Sequence, residues 1–299
     1  MQDSQYVPNP IEEAPFVYPI ARKQVLNPTV VRLDVTAPLI ARKAKPGQFI
    51  MLRLDEEGER VPLTIADYDR EKGTVSIIFQ LVGRTTKALA ELNEGDNILD
   101  FVGPLGTASH LEAYAGKKVA VIGGGLGTAI AYPQAKALHQ LGAEVDIIAG
   151  FRNKDLVILE EEMKVACTNL YITTDDGSYV RQGFVTDVLR EKIVAGRGYD
   201  LVIAIGPLIM MKMISNLTRE YNIHTIVSMN SIMVDGTGMC GGCRLTVGGV
   251  TKFACVDGPD FDGHLVDFDE AMRRSQIYKT EEKRSEEAHI CRVTGQESH

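Results

Sequence analysis

Polar and apolar residues alternate along the first third of the chain. Thr29-Val30-Val31-Arg32-Leu33-Asp34-Val35 alternates clearly; Gln48–Leu54 and Val75–Leu81 do so in part. A period of two marks strands with one buried face. Pro and Gly punctuate these runs, as at Pro46-Gly47. Regularly spaced strands broken by turn signals predict a small antiparallel barrel over residues 16–111, behind a tail at 1–15.

The pattern changes at residue 112. Lys118–Ile122 reads as a buried strand running into Gly123-Gly124-Gly125-Leu126-Gly127-Thr128. A helix is expected from Ala129 to about Leu141, then a strand from Glu144 to Ala149. Strand, glycine loop, helix and strand form the core of a nucleotide-binding α/β lobe, assigned to residues 112–222. Met210, Met211 and Met213 fall at helical spacing and read as core. Residues 223–264 hold a cysteine-rich loop. Val266–Met272 reads as a helix start with early acids, 265–299 is assigned as a C-terminal tail, and its charge-dense stretch at 280–288 is expected to be an exposed, partly disordered end.

Composition narrows the class. The 299 residues suggest two or three domains, and 44% apolar with 24% charged residues is ordinary for a soluble protein. No apolar run approaches the ~18 residues of a membrane span, and the N-terminus lacks the pattern of a signal peptide. Five cysteines in so long a chain point to a reducing, cytoplasmic setting rather than a disulfide scaffold; Cys167 and Cys291 read as ordinary thiols. The net charge of −8 argues against a nucleic-acid partner.

Three stretches carry candidate chemistry. Gly83-Arg84-Thr85-Thr86 follows a strand and opens a short helix. Free amides and the helix dipole favour an anion there, although Thr85 acting as a simple cap explains the same residues. Gly123, Gly124, Gly125 and Gly127 let backbone approach a pyrophosphate, with Thr128 in the third glycine position of G-x-G-x-x-G. Cys240, Cys243 and Cys255 are spaced C-x2-C-x11-C, with Gly236, Gly238, Gly241 and Gly242 around the first two. A redox dithiol, a structural zinc site, buried free thiols and an iron–sulfur cluster all fit that spacing. The glycines favour the cluster, because close backbone turns amides toward sulfur.

The cysteine spacing, with the Asp-Gly-Pro that follows Cys255, resembles the [2Fe-2S] site of dihydroorotate dehydrogenase electron-transfer subunits. There the pattern is C-x4-C-x2-C followed by a fourth Cys. Here Asp235 stands in the first position. That departure resembles the small subunit of NADH-dependent reduced ferredoxin:NADP oxidoreductase, with the related sulfide dehydrogenase subunit nearly indistinguishable. The resemblance implies Asp235, Cys240, Cys243 and Cys255 as ligands; a carboxylate is a harder donor than thiolate but still ligates iron. Arg60-Val61-Pro62-Leu63-Thr64 resembles the R-x-P-[LYF]-[ST] segment of the ferredoxin-reductase superfamily. By that likeness Arg60 pairs with the FAD pyrophosphate, Pro62, Leu63 and Thr64 sit by the flavin, and Ile65, Ala66 and Asp67 follow the ring edge. The same likeness makes Gly83, Thr85 and Thr86 a phosphate site. It also brings Arg152, Asp176, Gly206 and Pro207 to the nicotinamide nucleotide with the glycine loop. Arg152 fits either a 2′-phosphate or a solvated surface charge, and the resemblance favours NADH.

The implied architecture is an antiparallel FAD-binding β barrel, a Rossmann-like parallel-sheet nucleotide lobe and a small C-terminal [2Fe-2S] domain. The implied function is an NAD(H)-linked flavoprotein oxidoreductase subunit with FAD and a [2Fe-2S] cluster, inside an electron-bifurcating heterodimer. A larger flavin and iron–sulfur subunit would be its partner, with ferredoxin reached through that partner. A redox-sensing iron–sulfur protein is the non-enzyme alternative, and bleaching of a bound flavin by NADH separates the two.

Overall fold

The computed structural model describes residues 17–281. The tail expected at 1–15, Cys291 and all but the first two residues of the 280–288 stretch lie outside them.

Seven strands form the first sheet: β1 (Tyr18–Asn27), β2 (Val30–Thr36), β3 (Phe49–Arg53), β4 (Val61–Asp69), β5 (Thr74–Gln80), β6 (Asn97–Ile98) and β7 (Asp100–Leu105). Their order is β6-β1-β2-β5-β4-β3-β7, all antiparallel, which makes a nearly closed barrel. The alternation in β2 explains its facing: Leu33 and Val35 are fully buried, while Arg32 and Asp34 pair across 2.9 Å on the other side. Ile50, Leu52, Ile77, Phe79 and Phe101 fill the same interior. Each such burial contributes roughly 1.5–3 kcal/mol relative to an exposed side chain. Helices α1 (Pro38–Lys43) and α2 (Arg84–Glu91) close the barrel, the latter through buried Leu89.

The second sheet holds β8 (Lys118–Gly124), β9 (Glu144–Phe151), β10 (Asn169–Thr174), β11 (Leu201–Ile205) and β12 (His224–Ser228). These pair in parallel in the order β10-β9-β8-β11-β12, with helices α3 (Gly127–Gln140), α4 (Glu160–Val165), α5 (Val185–Val194) and α6 (Leu208–Glu220) between them. The order of the strands, not their direction, reverses between β8 and β11, so the crevice at their carboxyl ends is the ligand position of an open α/β sheet. The expected lobe boundary at 222/223 falls short: β12 lies beyond it. The sheet also gains a sixth, antiparallel strand, β15 (Asp260–Asp262), against β12. No local pattern joins strands so far apart in sequence. Of the three methionines expected in the core, Met211 is fully buried and Met213 is 55% exposed.

The chain between β12 and β15 leaves this sheet and returns to it. Its two feet are joined where the Met229 amide donates to the Pro259 carbonyl at 2.8 Å. The excursion contains the cysteine loop and a hairpin, β13 (Arg244–Val247) and β14 (Val250–Phe253), turned by Gly248-Gly249 at φ +59° and +78°. Helix α7 (Phe268–Arg274) then packs on the hairpin. Asp267 caps it by accepting from the Glu270 amide at 2.8 Å, as the early acids predict. One core joins the three units, with Phe49 and Met51 from the barrel, Val227 and Met211 from the lobe, and Cys243, Leu245 and Cys255 from the excursion.

Candidate functional site

The segment Val61–Thr64 opens β4 and pairs with β3, Pro62 opposite Met51, Leu63 opposite Ile50 and Thr64 opposite Phe49. Arg60 precedes it with an exposed side chain, and Ala66 is buried at a register shift between Ile65 and Asp67. Asp67 does not lie free for a ring edge. Lys136 of α3 holds both its oxygens, at 2.9 and 3.0 Å, tying the barrel to the lobe. At the start of α2, Thr85 donates its hydroxyl to Glu59 at 2.9 Å. Thr86 accepts from the amides of Val82 and Gly83 and donates back to the Gly83 carbonyl, so Thr86, not Thr85, closes the helix start. Glu59 beside Arg60 is a polar partner that no sequence pattern announced.

The glycine loop fits its expected work by close approach. A Cβ on Gly127 would stand 2.3 Å from the Ile205 carbonyl oxygen, and one on Gly123 2.5 Å from the Thr128 Cα. Gly124 and Gly206 abut one another, with the Met210 side chain and Pro207 against Gly124. Helix α3 starts here with no side-chain cap, and its Thr128 and Ala129 amides turn back onto the Gly125 and Leu126 carbonyls at 3.1 and 2.9 Å. The hydroxyls of Thr128 and Thr173 are buried without partners in this region, so polar capacity remains for a nucleotide. Arg152 and Asp176 are exposed neighbours on the loops after β9 and β10, joined where the Asp176 amide donates to the Arg152 carbonyl at 3.2 Å. The Ser178 hydroxyl, and then its amide, hold the Asp176 carboxyl below its ordinary value.

In the cysteine loop, Cys243 and Cys255 are buried with their Sγ atoms 3.3 Å apart. Burial first, and then the neighbouring Cys243, push the Cys255 thiol up to about 12. Two amides point at sulfur, Gly242 to Cys240 and Cys255 to Cys243, each at 3.4 Å. Asp235 accepts from the Thr237 amide at 2.6 Å and the Cys240 amide at 2.7 Å, and the Thr237 bond leads in holding its carboxyl below the usual range. Thus Cys243 and Cys255 are brought together, whereas Asp235 faces its own loop. Among the described residues no three His, Cys, Asp or Glu side chains are gathered as a metal cage. The donor set nonetheless suits iron and sulfide: two adjacent thiols, amides aimed at sulfur, and glycines at φ +78°, +87° and +67° at 236, 238 and 241. The loop also touches the barrel. A Cβ on Gly236 would stand 2.7 Å from Met51 Cγ, and Met51 is the strand partner of Pro62. His264 is half-buried, with Nε2 3.0 Å from the Thr218 hydroxyl.

A junction unforeseen from sequence lies behind these sites. The Asp260 carboxyl meets Ser109 Oγ at 2.5 Å and Gln134 Nε2 at 3.1 Å. Its Oδ1 and the Gln134 Oε1 are buried without partners. Burial pushes this acid up, against the Ser109, Ser228 and Gln134 bonds that pull it down. A polar Gln134 in the buried face of α3 was the one available signal.

Residues 230–267 match the family model described as the iron–sulfur cluster binding domain of dihydroorotate dehydrogenase B. The chain is 55% identical over 276 residues to a Clostridium beijerinckii protein of the adh 3′ region, covering 90% of this chain and 93% of that one. It is 45% identical over 268 residues to a dihydroorotate dehydrogenase B (NAD(+)) electron transfer subunit homolog from Thermotoga maritima, covering 90% and 94%. A solved chain from the NADH-dependent reduced ferredoxin-NADP oxidoreductase structure, reported for flavin-based electron bifurcation, superposes with a TM-score of 0.87 at 43% identity, covering 92% of this chain and 98% of that one. No described helix is long and apolar enough to cross a membrane. The barrel, the switch-point crevice and the cysteine excursion therefore belong together, and the chain is a member of the dihydroorotate dehydrogenase B electron-transfer subunit family, an oxidoreductase subunit of ferredoxin-reductase-like fold.

Proposed function

We propose that this chain moves electrons between NAD(H), FAD and a [2Fe-2S] cluster as the small subunit of an electron-bifurcating NADH-dependent ferredoxin:NADP oxidoreductase. The observation that carries the reading is the contact of the cysteine loop with Met51, one strand from the Pro62–Thr64 segment. It ties the two redox sites into one core.

A bound flavin accepts an electron pair from a nicotinamide and a two-iron cluster accepts single electrons, which is the chemistry these groups supply. The residues themselves bind, orient and insulate. Arg60 and the start of α2, at Gly83, Thr85 and Thr86, would hold the FAD phosphates, with Thr64 by the ring. The 123–128 loop, the start of α3, and Gly206-Pro207 would take the nicotinamide nucleotide, with Arg152 and Asp176 at its adenosine end. Asp235, Cys240, Cys243 and Cys255 would hold the iron, which requires Asp235 to turn from its loop amides. No side-chain acid or base is required for hydride transfer, which agrees with the absence of a catalytic dyad among the residues assigned. A larger flavin and iron–sulfur subunit would complete the heterodimer and pass electrons to ferredoxin, in the reducing cytoplasm that keeps the thiols free.

Anaerobically purified chain is expected to carry flavin and two irons per polypeptide, and NADH should bleach its flavin absorbance. A preparation with neither flavin nor iron, and none taken up on reconstitution, overturns the proposal.

A further inference from the structure

The turn that carries Cys240 and Cys243 is gripped from outside by two arginines. Arg244 Nη1 donates to the Gly241 carbonyl at 3.1 Å. The amide of that same peptide group, on Gly242, donates to Cys240 Sγ at 3.4 Å. Arg274 Nη2, from the end of α7, donates to the next carbonyl, Gly242, also at 3.1 Å. Arg274 lies outside the 230–267 stretch that matches the iron–sulfur domain. It reaches the turn across a cavity of about 260 Å³ lined by Cys240, Gly242, Arg244, Arg274 and Tyr278. Among the described residues neither arginine has a carboxylate partner.

A charged donor on a carbonyl polarises the peptide and strengthens its own N–H as a donor. Arg244 thus acts on Cys240 through the Gly241–Gly242 peptide. Arg274 acts on the peptide that ends at Cys243, and adds a half-buried positive charge that forms no ion pair among the described residues. Positive charge beside a redox centre favours the form with one more electron.

We propose that Arg274 is a positioning residue for the cysteine turn: it clamps the Gly242 carbonyl and, with Arg244, raises the reduction potential of the iron–sulfur site. This rests on the reading of the loop as a cluster site.

The test compares parent, Arg274→Lys and Arg274→Gln as anaerobic holo chain, by iron content and by a potentiometric titration of the cluster signal. Arg274→Gln should shift the one-electron couple about tenfold toward the oxidised form, ~59 mV, while Arg274→Lys stays near the parent. An unshifted Arg274→Gln, or an Arg274→Lys shifted as far, overturns the charge assignment. Iron lost from Gln but kept in Lys supports it; iron lost from both overturns it. On iron-free chain, Arg274→Ala should speed amide exchange at residues 241–243, and unchanged exchange there overturns the clamp. A parent without iron defeats the cluster reading instead, and the exchange measurement still decides the clamp.

Discussion

The loops at 123–128 and 235–243 are both rich in glycine, but they use it differently. The first needs glycine because backbone passes backbone: a Cβ at Gly127 would meet the Ile205 carbonyl at 2.3 Å. Strand β8 and helix α3 pin it from both ends. The second needs glycine for its turns, at φ +78°, +87° and +67°, and is held by side chains such as Asp235 and Arg274. One site is shaped by the sheet, whereas the other takes its shape from its donors. Substitutions in the cysteine loop should therefore act locally, and those in the glycine loop should act through the lobe.

Cys255→Ser tests that separation most harshly. Iron content should fall to about a tenth or less, while flavin bleaching by NADH stays within about twofold, as for distant independent sites. Loss of both activities together would show that the two loops are not separable. Gly127→Ala should leave iron in place but destabilise the lobe by roughly 1–3 kcal/mol, with NADH binding weakened, because the clash is with backbone that cannot step aside. Thermal unfolding and an NADH titration read it, and an unchanged melting point breaks the contrast.

The smallest effect belongs to Asp260, which lies outside both loops and bonds Ser109 and Gln134. Its acid is raised in the folded chain, so the folded state binds its proton more tightly than the unfolded one. The stability from this group is full below about pH 4, the unfolded value, and declines as pH climbs toward the raised value. Asp260→Asn has no such proton to lose. Its stability relative to the parent should therefore grow over that window and then level off in denaturant titrations. A difference that stays flat with pH removes Asp260 from the account.

Much of this was readable before any coordinates. Alternation at 29–35 gave a barrel strand, the apolar run before Gly123 gave the nucleotide lobe, and the spacing of Cys240, Cys243 and Cys255 gave the loop. These signals are local, set by one strand, one turn or one helix. What escaped is long-range. Lys136 on Asp67, Asp260 between Ser109 and Gln134, and β15 beside β12 pair residues between 32 and 151 positions apart. Their partners fit no period, since a single polar residue on a helix reads the same whether it meets solvent or another domain. Asp235 shows a second limit. The family resemblance makes it a candidate ligand, but only geometry shows its oxygens committed to Thr237 and Cys240.

The excursion from Met229 to Pro259 leaves and rejoins neighbouring strands of one sheet, its feet fastened by a single backbone bond of 2.8 Å. An appendage attached at adjacent points can be exchanged, shortened or grafted while the host sheet keeps its register. In this architecture, ancestry can therefore add or remove a metal terminal as a cassette, provided the core it shares with the barrel and the lobe is refilled.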